Sequence, residues 1–296
     1  MSIVSFSDVS KKFGSNVQLK NISFDIQEEE IVSLVGPYRS FKTTILRMIM
    51  NFIKPSSGSI SVLDMDSVKN SKQIKEFTSY IPQETWLYDD MRPISIFKST
   101  LSSHKLKNKD ELYNLIDYFD IDMRGKIENM SFLNKKKISI VNALVSKPSL
   151  LLVDDISSIN DIELKHKFYN LIEQKNKEGM TIVLATNNLH DAQSVSNKVI
   201  YLNQGEVLEI EDQDAKQSND KILSFYDRDV NEALFDEIGA KLVRRDIQTV
   251  YYYNGDLNLL AKAIYEARLM DYSVEDSTLD DKLTVVSKEA ALNESI

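Results

Sequence analysis

A lysine followed by two threonines stands shortly after a glycine that ends the apolar run Ile-Val-Ser-Leu-Val at 31–35. The loop and its exit consist of Gly36, Pro37, Tyr38, Arg39, Ser40, Phe41, Lys42, Thr43 and Thr44. This layout is that of the phosphate-binding loop G-x-x-x-x-G-K-[ST], in which backbone N–H groups and a helix N-terminus hold phosphate. The pattern predicts that Lys42 supplies a point charge to phosphate and that Thr43 reaches Mg²⁺.

One position of this loop departs from the pattern, because Phe41 occupies the place of the second glycine. Glycine serves there because the backbone must approach the phosphates in a conformation that a side chain resists. We therefore expect the phenyl ring to crowd the loop or to fill the phosphate cavity.

Acidic and amide side chains follow two further predicted strands. The apolar run 150–153 ends in Asp154 and Asp155, and Gln83 follows the strand predicted at 78–81. Ligands of open α/β sheets bind at the carboxyl edge of the parallel strands, where these residues are expected to meet. Either pattern alone is also compatible with an ordinary α/β core, but the two together, with Gln83 between them in the chain, are specific.

Length, composition and charge limit the class of protein. The chain has 296 residues, 42% of them hydrophobic, a net charge of −9 and no cysteine. The charge argues against nucleic acid as a main partner, and the missing cysteines exclude disulfides and thiolate metal sites. The N-terminus lacks a signal segment, and no apolar run approaches the ~20 residues of a membrane span. We expect a soluble, cytoplasmic protein with one large and one smaller domain.

Hydrophobic periodicity predicts the elements that position the loop and the acids. A β-rich start precedes the loop, and the helix from Lys42 is expected to end near Ile53. Residues 94–146 are predicted to be mostly helical, with Pro93 in the first helical position. A helix near 161–175, a strand at 181–186 and a hairpin at 199–210 are predicted to follow.

The remainder of the chain has a separate pattern. Glu211–Asn219 is polar and acidic and is predicted to be a linker. Beyond it the predicted order is β-α-β-β-α-β, which indicates a small ferredoxin-like domain. Tyr251, Tyr252 and Tyr253 lie in one of its strands, where we expect alternate rings to be buried.

With these motifs in this order, the chain resembles the ATP-binding subunit of an ABC transporter over about residues 3–210. The resemblance implies an α/β fold: a P-loop NTPase ABC-type nucleotide-binding domain at 1–212, with a mixed sheet, a β-subdomain and a helical subdomain at about 84–146. A small ferredoxin-like α+β accessory domain is expected at 220–290, similar to one found on subunits of the ABC-2 export type.

The resemblance also assigns roles to residues. ATP is expected to be held by Phe13, stacked on adenine, by residues 36–44, and by Ser131 of the signature. Mg²⁺ is expected at Thr43, Gln83 and Asp154. Asp155, Gln83 and Asn187 take the catalytic positions, and Asp161 takes the D-loop position. The alternative for Phe13 is a core residue at a strand edge.

Departures from the family pattern predict impaired hydrolysis. Asp155 replaces a glutamate and is one methylene shorter, and ~1 Å of misplacement can cost ~10²-fold in rate. The signature L-S-G-G-Q reads Met130-Ser131-Phe132-Leu133-Asn134, and Asn187 replaces the switch histidine.

Three functions remain open from the sequence. In the first, the chain is an ATP-binding subunit at the cytoplasmic face of the membrane, held there by a transmembrane permease. It would pair with a second ATP-binding subunit, a different chain rather than a second copy, serve export, and hydrolyse ATP weakly or not at all. In the second, the chain is a scaffold or regulatory subunit that keeps the fold, binds no nucleotide and pairs with an active ATPase. In the third, the chain is a conventional active ATPase, which would require the loop to tolerate Phe41 in an unusual conformation.

Overall fold

The computed structural model describes residues 1–106, 109–156, 159, 161–212, 220–227 and 230–293. The strands are β1 (Ser2–Phe13), β2 (Asn16–Gln27), β3 (Ile31–Val35), β4 (Ser57–Val62), β5 (Met65–Asp66), β6 (Thr78–Ile81), β7 (Leu150–Asp154), β8 (Thr181–Thr186), β9 (Lys198–Asn203), β10 (Glu206–Asp212), β11 (Asp220–Phe225), β12 (Lys241–Arg245), β13 (Thr249–Asn254) and β14 (Tyr272–Asp276). The helices are α1 (Lys42–Ile49), α2 (Ser71–Phe77), α3 (Pro93–Ser103), α4 (Asp110–Phe119), α5 (Phe132–Leu144), α6 (Ile162–Lys177), α7 (Leu189–Val195), α8 (Ala233–Glu237), α9 (Leu257–Glu266) and α10 (Leu279–Asn293), with a 3-10 turn at Ile127–Asn129.

A six-stranded mixed sheet carries the predicted motifs. Its order is β10-β9-β3-β8-β7-β6, and the strands from β9 to β6 are parallel while β10 is antiparallel to β9. Every residue of β3, β7 and β8 is buried. Successive residues of β7 face opposite cores: Leu150 and Leu152 pack on one side, and Leu151 and Val153 on the other. Burial on both faces explains why these strands are continuous apolar runs.

An antiparallel sheet and a group of helices complete the first 212 residues. The sheet has the order β2-β1-β4-β5, and Phe6 of β1 stacks on Phe24 of β2 with ring centroids 4.6 Å apart. Helices α3, α4 and α5 pack through buried residues such as Phe97 and Leu115, and Pro93 is the first residue of α3, as predicted. The expected α/β fold with a mixed sheet is confirmed.

Two element boundaries differ from the prediction. Helix α1 ends at Ile49 instead of Ile53, because Asn51 has a φ of +51° and the N–H groups of Phe52 and Ile53 both donate to the carbonyl of Arg47, closing the helix. Strand β7 ends at Asp154, because Asp155 has a φ of +47° and turns the chain. The predicted linker lies mostly outside the described residues, since 213–219 are not described.

The C-terminal unit, residues 220–293, forms the third sheet. Its order is β12-β13-β11-β14, with every pairing antiparallel, which is the strand arrangement of a ferredoxin-like fold. Helices α8 and α9 cover one face through Phe235 and Leu260, and α10 covers the other through Val285. The expectation that alternate tyrosine rings are buried is wrong: Tyr251, Tyr252 and Tyr253 are 1%, 3% and 2% exposed, because α10 covers the face that an open sheet would leave to solvent.

Helix α10 also packs on the first part of the chain. Leu279 and Leu283 join Leu189 of α7 in one apolar cluster. Beside it, the buried ammonium of Lys282 lies 3.2 Å from a carboxylate oxygen of Glu211 and 3.9 Å from one of Asp220. Among the residues described, no helix is long and apolar enough to cross a membrane.

Candidate functional site

A cavity of about 320 Å³ lies where β3, β7 and β8 end. Its lining residues are Tyr38, Arg39, Phe41, Lys42, Thr43, Thr44, Arg47, Gln83, Asp154, Asp155 and Asn187. The volume falls within the range of small-molecule sites. The structure thus brings the predicted lysine, threonines, acids, glutamine and asparagine to one place.

The loop between β3 and α1 surrounds the Lys42 ammonium. Its Nζ donates to the carbonyls of Gly36 and Pro37 at 2.6 and 3.1 Å and to Ser40 Oγ at 3.0 Å. A Cβ on Gly36 would lie 2.2 Å from the carbonyl oxygen of Leu202, so only glycine fits where the loop passes β9. Burial lowers the pKa of Lys42, opposed by the negative charges of Asp155 and Asp154.

Phe41 is accommodated without closing the cavity. It has a φ of +67°, the left-handed conformation that favours glycine, and it immediately precedes α1. Its half-buried ring packs against the core that contains Ile45 and Leu46 and forms part of the cavity wall. The backbone therefore follows a path suited to glycine, and the ring narrows the cavity from the side without filling it.

The Asp154 carboxylate is held by two hydroxyl groups. Thr43 Oγ1 donates to Oδ1 at 2.8 Å, and the Tyr80 hydroxyl donates to Oδ2 at 2.8 Å. Burial is the main cause that raises the pKa of Tyr80, and the negative charge of Asp154 raises it further. The hydroxyl therefore stays protonated and remains a donor. Among the described residues, no group of three or more His, Cys, Asp or Glu side chains is arranged to hold a metal ion. One carboxylate beside one hydroxyl fits Mg²⁺, which takes most of its ligands from phosphate and water.

Gln83 and Asp155 meet at the opposite wall. Gln83 Nε2 donates to Asp155 Oδ2 at 2.9 Å. Asn187 follows β8 and lines the same wall, while its neighbour Asn188 caps α7 by accepting the N–H of Asp191. This wall could hold a polar molecule, such as water, between a carboxylate and two amides.

Five of the predicted ligand residues lie outside the cavity lining, namely Gly36, Pro37 and Ser40 of the loop together with Phe13 and Ser131. Phe13 is at the end of β1, half exposed, with the ammonium of Lys11 4.6 Å from its ring centroid. Ser131 caps α5, where its Oγ accepts the N–H of Asn134 at 3.3 Å. Asp161 caps α6 by accepting the N–H of Leu164, whereas the D-loop residues at 157, 158 and 160 are not described.

Sequence reasoning missed Arg47, Tyr80 and Lys136. Arg47 lies one helical turn after Thr43 on α1 and lines the cavity, so helical spacing could have found it. Tyr80 belongs to a strand and Lys136 to a helix, and nothing in their spacing shows that Tyr80 contacts Asp154 or that Lys136 contacts the Gln83 loop.

Known proteins are similar to this chain in sequence and in fold. The profile of the family described as ABC transporter matches residues 19–158. The zinc import ATP-binding protein ZnuC of Rickettsia bellii is 31% identical over 205 residues, which are 68% of this chain and 83% of that protein.

Two solved structures show the same fold. The structure of an ATP-binding subunit of an ABC transporter has a TM-score of 0.69 at 17% identity and covers 88% of this chain and 99% of its own. A dimeric ATP-binding cassette in a post-hydrolysis state, bound to ADP and Pi, has a TM-score of 0.65 at 21% identity and covers 72% of this chain and 99% of its own. The chain therefore belongs to the ABC transporter family, as one of its ATP-binding subunits.

Proposed function

We propose that this chain binds Mg²⁺-ATP in the cavity beside Phe41 and hydrolyses it weakly or not at all. The observation that carries the proposal is that the cavity remains open while Lys42, Thr43 and Asp154 stay in hydrogen-bonded positions around it. A left-handed Phe41 leaves the loop on the path that a glycine would give it. The loop N–H groups and Lys42 would hold the phosphates, and Thr43, Asp154 and Gln83 would face the metal, which would neutralise phosphate charge.

The proposed weakness of hydrolysis rests on the opposite wall. Asp155 would act as the base toward water, with Gln83 orienting its carboxylate through the 2.9 Å hydrogen bond. The aspartate ends one methylene earlier than a glutamate would, so water held by it lies farther from the phosphate position. Asn187 can donate a hydrogen bond to phosphate but carries no positive charge.

We further propose that the chain pairs with a different ATP-binding subunit. In a head-to-tail pair, the start of α5 faces the partner's nucleotide, and there Phe132 is 56% exposed. A homodimer would repeat every departure in both sites, whereas an intact partner would retain its own loop and base. The dimeric cassette with ADP and Pi, which shares this fold, supports pairing as the arrangement to test.

The proposed setting is the cytoplasmic face of the membrane, on a transmembrane permease. We assign residues 1–212 to the nucleotide-binding domain and 220–290 to the accessory domain. Export is the proposed direction, because the C-terminal unit resembles the accessory domain of ABC-2 exporters. The zinc import protein is a relative with the opposite direction, so transport into and out of vesicles is the measurement that decides.

Competition with a fluorescent ATP analogue in the presence of Mg²⁺ tests the binding role. We expect micromolar to sub-millimolar affinity for the wild type and at least a tenfold loss for Lys42→Ala, since hydrogen bonds to a charged group are removed. The exposed Lys12→Ala is the matched control and should bind as the wild type does. Equal affinity of Lys42→Ala and wild type would contradict the proposal, and no binding by either would favour the scaffold.

A further inference from the structure

Lys136 is a fully buried lysine that the proposed chemistry does not use. It lies on α5, is 0% exposed, and has no carboxylate within 4 Å among the described residues. Lys282, another deeply buried lysine, differs because it pairs with Glu211 and Asp220. A buried ammonium without a close counter-ion is costly, so an apolar residue would serve packing alone better.

The Lys136 ammonium is bonded to the loop that carries Gln83. Its Nζ donates to the carbonyl of Pro82 at 2.6 Å and to that of Gln83 at 3.1 Å. Burial lowers the pKa of Lys136 to about 8, opposed by the negative charges of Asp154 and Asp155. The cation thus sits behind the wall on which Gln83 meets Asp155.

The far end of the same loop is held separately. The N–H of Glu128 donates to the carbonyl of Asp89 at 3.0 Å, and the N–H of Ile127 donates to that of Met91 at 2.9 Å. The hydrogen bonds of Lys136 therefore hold the first part of this loop, at Pro82 and Gln83, independently of the contacts at Asp89 and Met91.

We propose that Lys136 is a positioning residue that fixes the backbone at Gln83 and so aims its amide at Asp155 and the metal position. The part of this inference that concerns the metal rests on the proposed binding of Mg²⁺-ATP, whereas the anchoring of the loop does not. Because α5 begins at the signature, the same contact ties the signature of this chain to its own cavity.

Limited proteolysis of the nucleotide-free chain with chymotrypsin tests the anchoring. We expect faster cleavage after Trp86 and Tyr88 in Lys136→Met than in wild type, with cleavage at other sites unchanged. Lys137→Met is the matched control, because Lys137 lies next on the helix and is half buried, and its side chain makes no hydrogen bond or ion pair with any residue that the structure describes. Should Lys136→Met fail to fold, Lys136→Gln, which keeps one donor, is measured in its place.

Trp86 gives a second, local signal. It is the single tryptophan of the chain, lies close after Gln83 and is 86% exposed. Titration with ATP, followed by Trp86 emission with Mg²⁺ and with EDTA, separates the metal from the nucleotide. In the presence of Mg²⁺, we expect Lys136→Met to bind ATP about tenfold more weakly than wild type, a loss of the size seen when a residue that orients a metal ligand is removed. In EDTA we expect the two proteins to bind ATP with equal affinity.

Unchanged cleavage after Trp86 and Tyr88 would overturn the anchoring, and a loosened loop with unchanged Mg²⁺-dependent affinity would overturn its link to the metal. If the wild type binds no ATP, the proposed function fails, while the cleavage rates still decide whether Lys136 holds the loop.

Discussion

At the scale of single residues, the loop before α1 tolerates a side chain where the motif asks for none. Arg39 and Phe41, which are separated by one residue, both have φ near +67°. Two residues of the loop therefore adopt the left-handed conformation although neither is glycine. Left-handed backbone costs a residue with a Cβ roughly 1–2 kcal/mol. The ring of Phe41 offsets part of this cost by packing against the core.

Two substitutions at Phe41 separate backbone strain from packing. Phe41→Ala removes the ring and keeps the strained backbone, whereas Phe41→Gly removes both. We expect Phe41→Gly to be more stable than Phe41→Ala by about 1 kcal/mol, measured as the free energy of unfolding in urea. Equal free energies of unfolding for Phe41→Ala and Phe41→Gly would contradict a left-handed backbone at this position.

Tyr80→Phe removes one hydroxyl from the Asp154 carboxylate and keeps the ring. Removing a hydrogen-bond partner of a metal ligand typically lowers metal affinity 10–100-fold. We therefore expect that about a tenfold higher Mg²⁺ concentration is needed to support ATP binding. Tyr118→Phe, which removes a hydroxyl bonded to the carbonyl of Lys167, is the control. An unchanged Mg²⁺ titration would show that the Tyr80 bond does not orient Asp154 for the metal.

The sequence was sufficient to predict the gathering of Lys42, Thr43, Gln83 and Asp154, because motif spacing and parallel strands bring them to one sheet edge. It was not sufficient for Phe41, whose ring was expected to crowd or fill the cavity, because the direction of a side chain depends on the backbone φ. Contacts between distant elements, such as Tyr80 with Asp154, leave no local pattern.

At the scale of elements, a buried charge on α5 makes stability depend on pH. The pKa of Lys136 is about 8 in the folded chain and 10.5 for a free lysine. Between these values the unfolded chain binds more protons, so the free energy of unfolding rises with pH. At pH 7 the charged form of Lys136 therefore lowers the free energy of unfolding by on the order of 3 kcal/mol relative to a lysine with an ordinary pKa.

Urea unfolding of the wild type and Lys136→Met at pH 7 and pH 10.5 measures this effect. We expect the wild type to gain on the order of 3 kcal/mol relative to the methionine variant over this range, since other titrating groups cancel in the difference. If the difference in free energy of unfolding between the two proteins is the same at both pH values, the Lys136 ammonium is as well stabilised in the folded chain as in water.

Strand β13 shows where local pattern fails at this scale. Alternation predicts one buried face, yet three successive tyrosines are buried because α10 returns to cover the second face. The packing of a later helix on an earlier sheet is a long-range event that the strand's own residues do not encode. The order of strands and helices in the C-terminal unit was nevertheless predictable from periodicity.

At the scale of the whole molecule, a buried polar network joins the C-terminal unit to the mixed sheet. Lys282 contacts Glu211 and Asp220, and the Tyr252 hydroxyl and Gln193 donate to Asp220 at 2.6 and 2.7 Å. Removing one partner from such a network leaves uncompensated buried charge.

Lys282→Met should therefore destabilise the chain by about 3–5 kcal/mol and loosen the contact of α10 with α7. Lys262→Met removes an exposed pair with Glu266 and should change stability by less than about 1 kcal/mol. Thermal unfolding and exchange in α7 report the two effects. Equal melting temperatures for the two variants would mean that the network does not hold the units together.

Binding of Mg²⁺-ATP in the cavity beside Phe41 underlies the proposed function of this chain. A calorimetric titration of the purified wild-type chain with ATP in the presence of Mg²⁺ measures this binding without a label. We expect one site per chain with micromolar to sub-millimolar affinity. No heat of binding up to several millimolar ATP would contradict it and would make this chain the structural partner of an ATPase.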